Sequence, residues 1–302
     1  GGFAALAVVF NNPIIAAIVF IEAIGIGGSM APVIVLPGLM SAGIGSLVFY
    51  GVGNFTGLST DAYALVPLQL DDLGSLTVSE FLWAVPLGVL CGVLGVAVLA
   101  GAMRTNLLIR DRVLVWVPIM GVLVAVCVIL FEEITGESGF AILFSGSRAL
   151  NPVVEEAGTL GAATLAWLLL FKAVAWTLSL GSFRGGPVFP AIFVGTAAGL
   201  LASELLPALS LSAALPITIA ATLVTVLRLP LSAAVITLLL TGSAGVQSAP
   251  LIITGLVIAF VTAEVLRDRF VPSPPESAEP EEGSGPDDSG REPSGRLERS
   301  PG

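Results

Sequence analysis

The sequence predicts an all-α polytopic membrane protein, built on a repeated half whose helices are short, tilted and broken. Three observations predict it. Hydrophobic residues fill 55% of the 302 positions and charged residues only 11%, against about 25% charged in a soluble domain. The apolar residues gather in runs near membrane length, several cut by proline. A segment near the start recurs near the end at almost constant spacing.

The runs follow in order. They fall at Phe3–Ile24, Val33–Val52, Phe81–Met103, Val113–Phe131, Gly158–Leu180, Pro187–Leu201, Leu211–Leu227, Leu231–Leu240 and Pro250–Leu266. A straight span needs about 20 residues, and several runs are shorter. Asn12-Pro13 divides the first run, and Leu229-Pro230 separates two late ones. Proline lacks an N–H and clashes with the preceding turn, so a helix stops or restarts there. Irregular backbone at membrane depth requires protein or a water-filled cavity around it.

Loop charges give an orientation. Arg104, Arg110 and Arg112 follow the third run, and Arg267 and Arg269 the last. The loop 54–80 carries Asp61, Asp71, Asp72 and Glu80 with no basic residue, and 132–156 carries five glutamates and one arginine. Basic loops stay cytoplasmic, which puts the arginine loop and the C-terminal tail inside and the acidic loops outside. The tail carries eight carboxylates against Arg291, Arg296 and Arg299, about half of the net charge of −10. Its low apolar content predicts disorder.

The repeat pairs Pro13-Ile14-Ile15-Ala16-Ala17-Ile18-Val19 with Pro230-Leu231-Ser232-Ala233-Ala234-Val235-Ile236, 217 residues apart, and Ala31-Pro32-Val33-Ile34-Val35 with Ala249-Pro250-Leu251-Ile252-Ile253, 218 apart. Paired halves with interrupted helices characterise membrane transporters. Read this way, residues 1–53 are the end of a first half. Residues 54–112 are an outer loop, a linking span and an inner loop, 113–270 a second half, and 271–302 an acidic tail. The first-half counterpart of the segment 181–190 would precede residue 1, so the chain reads as part of a longer protein.

That segment, "GSFRGGPVFP", holds the candidate site. Gly185 and Gly186 permit a tight turn with backbone close to a ligand. Pro187 suits the first position of a helix. The next amides, on Val188 and Phe189, lie at the positive end of the helix dipole without intrahelical partners, a ready anion site. An uncharged cradle suits an ion that must bind and leave. Arg184 either anchors a helix end or attracts anions. Lys172, inside an apolar run, is either functional or snorkels to the interface. Glu22 either lines a vestibule or relays protons, or it bonds nearby backbone.

These residues resemble the CLC family of chloride channels and proton–chloride antiporters over about Gly1–Arg269. "VVFNNPIIAAIVFIEAIG" is similar to the helix pair closing the family's first half, "GSFRGGPVFPAIFVGTAAG" to its chloride-binding segment, and "LRLPLSAAVITLLLTG" to the second-half helix pair. The resemblance implies an inverted-repeat CLC-like helix bundle in the cell membrane and a chloride pathway in each subunit of a homodimer. It implies chloride contacts at Gly185, Gly186, Pro187, Val188 and Phe189, and a coupling or vestibule place at Glu22 and Ala23. It also implies helices near Ile14–Ile24, Val33–Phe49, Leu231–Leu240 and Pro250–Leu266 at the dimer interface. The chain departs from the pattern in three places. Pro187 lacks the N–H that contacts chloride in the family, Val188 stands where the family has phenylalanine, and Ala23 replaces the antiporters' second glutamate. The last favours passive conduction.

The chain has no histidine, and its two cysteines, Cys91 and Cys127, lie in apolar runs. Both read as small buried hydrophobes. No catalytic residue, metal ligand set, cofactor or nucleic-acid partner is expected.

Overall fold

Proline and glycine decide where the helices break. The computed structural model describes residues 1–25, 30–57, 64–183 and 185–270. Arg184, Asp61 and the acidic tail, each singled out from the sequence, lie outside the described residues. Helix α1 (Gly2–Val9) ends where Asn11 takes a left-handed φ of 51°, and α2 (Pro13–Ile24) starts on Pro13 with the Asn12 side chain accepting from the Ile14 amide at 2.8 Å. Helix α9 (Leu211–Leu227) ends at Arg228, φ 59°, and α10 (Pro230–Gln247) starts on Pro230. Gly25 stops α2 at φ 64°, and Gly242 breaks α10 at φ 57°. Each of these three pairs, 11/228, 13/230 and 25/242, is 217 residues apart. The sequence repeat is therefore a repeat of backbone events as well. Helices α3 (Met30–Thr56) and α11 (Ala249–Phe270) follow the two short ones.

The repeats run antiparallel. Asn12 and Ile15 at the start of α2 share a small cavity with Ile236 and Leu240 of α10. At the other end of α2, Glu22 reaches the first residues of α10. The two short helices thus lie head to tail, as an inverted repeat requires.

Between them, α4 (Val78–Ile109) and α5 (Val113–Thr135) cross and return. Helix α4 begins with a capping box, Thr77 accepting from the Glu80 amide and Glu80 from the Thr77 amide. It outruns its apolar stretch by a polar turn held where the Asn106 amide group donates to the Gly181 carbonyl at 3.1 Å. At about 1.5 Å per residue, its 32 residues exceed a bilayer core of about 30 Å. A methyl group on Gly88 would sit 2.7 Å from the Gly255 carbonyl oxygen of α11, and Gly92 repeats the close approach one turn on, the small-residue packing of membrane helices.

Helix α7 (Ala162–Ser182) returns across the body, and α8 (Val188–Leu205) packs on α9. Helix α9 is the centre: every residue from Ser212 to Thr225 is buried, under α4, α8, α10 and α11. Its hydroxyls on Thr218, Thr222 and Thr225 donate back to carbonyls one turn earlier, so no polar group is stranded. Among the described residues seven helices are long and apolar enough to cross a membrane. Cys91 and Cys127 are both free and buried.

The glutamate segment 132–156 has structure of its own and turns partly into the core. It holds a 3₁₀ turn (Gly139–Ala141) and a short helix α6 (Leu150–Glu155), and Ile142, Leu150, Val153 and Val154 join the core. The apolar residues here come in short groups, Phe140–Phe144 and Ala149–Val154, well below membrane length, so only packing reveals the inward turn.

Candidate functional site

The candidate site lies where α7 ends and α8 begins. Phe183 leaves α7 in an extended conformation (φ −114°, ψ 161°). Gly185 and Gly186 follow, with no atom near enough to obstruct a side chain at either. Pro187 already has helical angles, φ −80° and ψ −13°, and its carbonyl accepts the first helical bond from the Ala191 amide at 3.1 Å. It therefore stands one position ahead of the expected first turn residue, as the N-cap.

No side chain caps α8. Among the described residues the Val188 and Phe189 amides have no hydrogen-bond partner, and Pro190 has no amide to offer. Two bare donors thus mark the positive end of an 18-residue helix. Val188 and Phe189 pack against the core, and the Phe189 ring stacks 6.4 Å from Phe10 in the α1–α2 junction.

A cavity of about 510 Å³ adjoins the turn, with Gly185, Gly186 and Pro190 in its wall. Of the five predicted contacts, Gly185 and Gly186 face this space. Sequence reasoning missed Pro190, Ser145 and Ser179, which also line it. Ser145 arrives through the inward turn of 141–149, and Ser179 needed the facing of α7; no periodic signal carried either.

Lys172 also lines the cavity. It sits at the midpoint of α7 and is 1% exposed, so it does not snorkel. Its ammonium donates to the carbonyls of Ala141, Ile142, Leu143 and Phe144 at 2.9, 3.1, 3.2 and 3.3 Å. It also lies 4.6 Å from the centre of the Phe193 ring of α8, a cation–π distance. The lysine satisfies non-helical carbonyls that lipid could not.

Glu22 is elsewhere and does not line this cavity. One carboxylate oxygen accepts from the Leu231 amide at 2.8 Å; the other accepts from the Ser232 amide and hydroxyl, both at 2.6 Å. Leu229, the N-cap of α10, offers no side-chain cap. The glutamate of one repeat thus caps the helix of the other. Ala23 is exposed beside it and makes no polar side-chain contact.

The site is therefore a bare helix start and a buried cation beside a cavity of about 510 Å³, an arrangement that favours a small anion. A search of curated proteins gives no match. Among solved structures the chain is similar to a crystal structure of a CLC-type fluoride/proton antiporter, with 18% identity and a TM-score of 0.65. The likeness covers 88% of this chain and 62% of that one, and it shows the fold. A family model described as "Voltage gated chloride channel" matches residues 1–264. The chain is a multi-pass membrane protein and belongs to the CLC, voltage gated chloride channel, family.

Proposed function

We propose that the chain forms part of a membrane anion channel or transporter, passing chloride or a similar small anion by way of backbone amides at helix starts. The observation that carries this reading is the pair of bare amides on Val188 and Phe189, next to a cavity bounded by Gly185 and Gly186. In this reading Gly185–Phe189 bind the ion, with Pro187 giving shape and no donor. Glu22 and Ala23 form a vestibule wall at the junction of the repeats. Residues 1–53 end one half, 113–270 make the other, and 54–112 link them. The family match supports reading the protein as a channel or transporter, not as an enzyme.

The orientation follows the basic loops, with Arg104, Arg110, Arg112 and the acidic tail in the cytoplasm of a cell-membrane protein. Outward apolar residues on α3 and α11, among them Leu36, Met40, Leu47, Val257 and Val261, suit lipid or a second copy in a homodimer.

The test is reconstitution of the protein in liposomes loaded with chloride, with efflux read by an ion-selective electrode. Anion efflux that empties the vesicles is expected. Vesicles that retain chloride and also fluoride would refute the reading. A second reading, exchange of the anion for protons, is favoured by the likeness to a structure titled as a fluoride/proton antiporter. Proton uptake driven uphill by an anion gradient distinguishes it, and Ala23 in place of a second carboxylate argues for the passive case.

A further inference from the structure

A charge buried at membrane depth is costly unless it is paired. Lys172 is buried at the midpoint of α7, and among the described residues no carboxylate pairs with it. Four carbonyl dipoles hold its ammonium, which settles its hydrogen bonds and leaves its net charge unbalanced. The cavity it lines contains no acidic residue; the other polar side chains of the wall are the hydroxyls of Ser145 and Ser179 and the indole N–H of Trp176, a buried donor without a hydrogen-bond partner among the described residues. The same space reaches the Gly185–Gly186 backbone ahead of the bare amides of α8.

We infer that Lys172 is the fixed counter-charge of the anion path: the permeant ion is its missing partner, and Lys172 sets how tightly the cavity beside Gly185–Gly186 holds that ion. It is a positioning and specificity-determining residue. Its hydrogen bonds to Ala141–Phe144 shape the wall, while its charge raises the local anion concentration. A scaffold role alone explains the four bonds but requires no particular charge in the cavity. The inference rests on the anion-conducting reading above.

The experiment measures chloride flux into liposomes over a range of chloride concentrations, together with the reversal potential under a potassium chloride gradient. Lys172→Met is expected to raise the half-saturating chloride concentration at least about tenfold, since a unit charge several ångströms away in a poorly screened site is worth more than a factor of about ten, and to weaken anion-over-cation selectivity. Lys172→Arg, which keeps the charge, is expected to stay close to the unaltered protein in both readouts. Should Lys172→Met fail to fold, Ser179→Asp places a carboxylate on the half-exposed cavity wall without disturbing the carbonyl cluster, and is expected to raise half-saturation comparably. A change in maximal flux alone, with half-saturation and reversal potential unmoved in Ser179→Asp or Lys172→Met, overturns the inference while leaving anion conduction standing. No anion flux in the unaltered protein removes both.

Discussion

Replacing Glu22 by alanine tests whether the two repeats are clasped by a cross-repeat helix cap. The carboxylate accepts three hydrogen bonds, from two amides and one hydroxyl at the start of α10. Nothing else caps that helix. Losing an N-cap costs about 0.5–2 kcal/mol, and bonds to a charged acceptor are worth about 1.5–3 kcal/mol when dry. Glu22 is half-buried, so water replaces part of what is lost, and the net cost is about 2 kcal/mol. For a body of this size that corresponds to a fall of about 5 °C in melting temperature. Glu22→Gln keeps an acceptor but no charge, and about half the loss is expected. The assay is thermal unfolding in detergent, with hydrogen exchange followed at Leu231 and Ser232. Those two amides exchange faster in Glu22→Ala if the clasp is real. A melting temperature within about 1 °C of the parent, with both amides still protected, refutes the argument. Altered flux without any change in melting favours a vestibule role instead.

Other predictions concern backbone and site. Gly195→Ala puts a methyl group 2.8 Å from the Ile219 Cα and 2.9 Å from the Thr218 carbonyl oxygen. Backbone cannot yield as a side chain can, so α8 and α9 separate at a cost of about 1–3 kcal/mol, visible as earlier loss of the monodisperse peak on heating. Gly242→Ala and Gly25→Ala meet no neighbouring atom, so strain alone decides: Gly242 (φ 57°, ψ −131°) lies in a glycine-only region and Gly25 (φ 64°, ψ 32°) does not. The former is expected to lose about 2 kcal/mol and the latter about 1 kcal/mol; equal losses contradict this. Pro187→Ala supplies an amide where the α8 start has none. It is expected to tighten chloride binding about fivefold, the worth of one hydrogen bond, in a concentration-dependent flux assay. Unchanged or weaker binding argues against an ion resting on that turn.

Much of the fold was legible because membrane helices advertise their breaks. Asn12-Pro13 and Leu229-Pro230 mark two helix starts, and the spacing of 217 between Pro13 and Pro230 carries over to the φ-positive residues at 11/228 and 25/242. The α8 start was legible too, since glycine followed by proline has few other uses inside an apolar chain. What stayed hidden depends on distant partners. Glu22 finds its acceptor role 209 residues away at Leu231, and neither position has a pattern of its own. Lys172 looked equally suited to snorkelling because its anchors, Ala141–Phe144, belong to a segment whose glutamates concealed its inward course. The polar turn that extends α4 past Met103 is fixed by Asn106 bonding to Gly181, a contact no local propensity encodes.

The interior position of α9 bears on how the protein is made. At about 1.5 Å per residue, its 17 residues reach about 25 Å, short of the roughly 30 Å of a hydrocarbon core. Two of the helices that sheathe it, α10 and α11, emerge from the ribosome only afterwards. During synthesis α9 must therefore wait, sheltered by α4 and α8 or by the insertion machinery, until its later neighbours arrive. A nascent chain released before α11 is complete is expected to be a substrate for quality-control proteolysis.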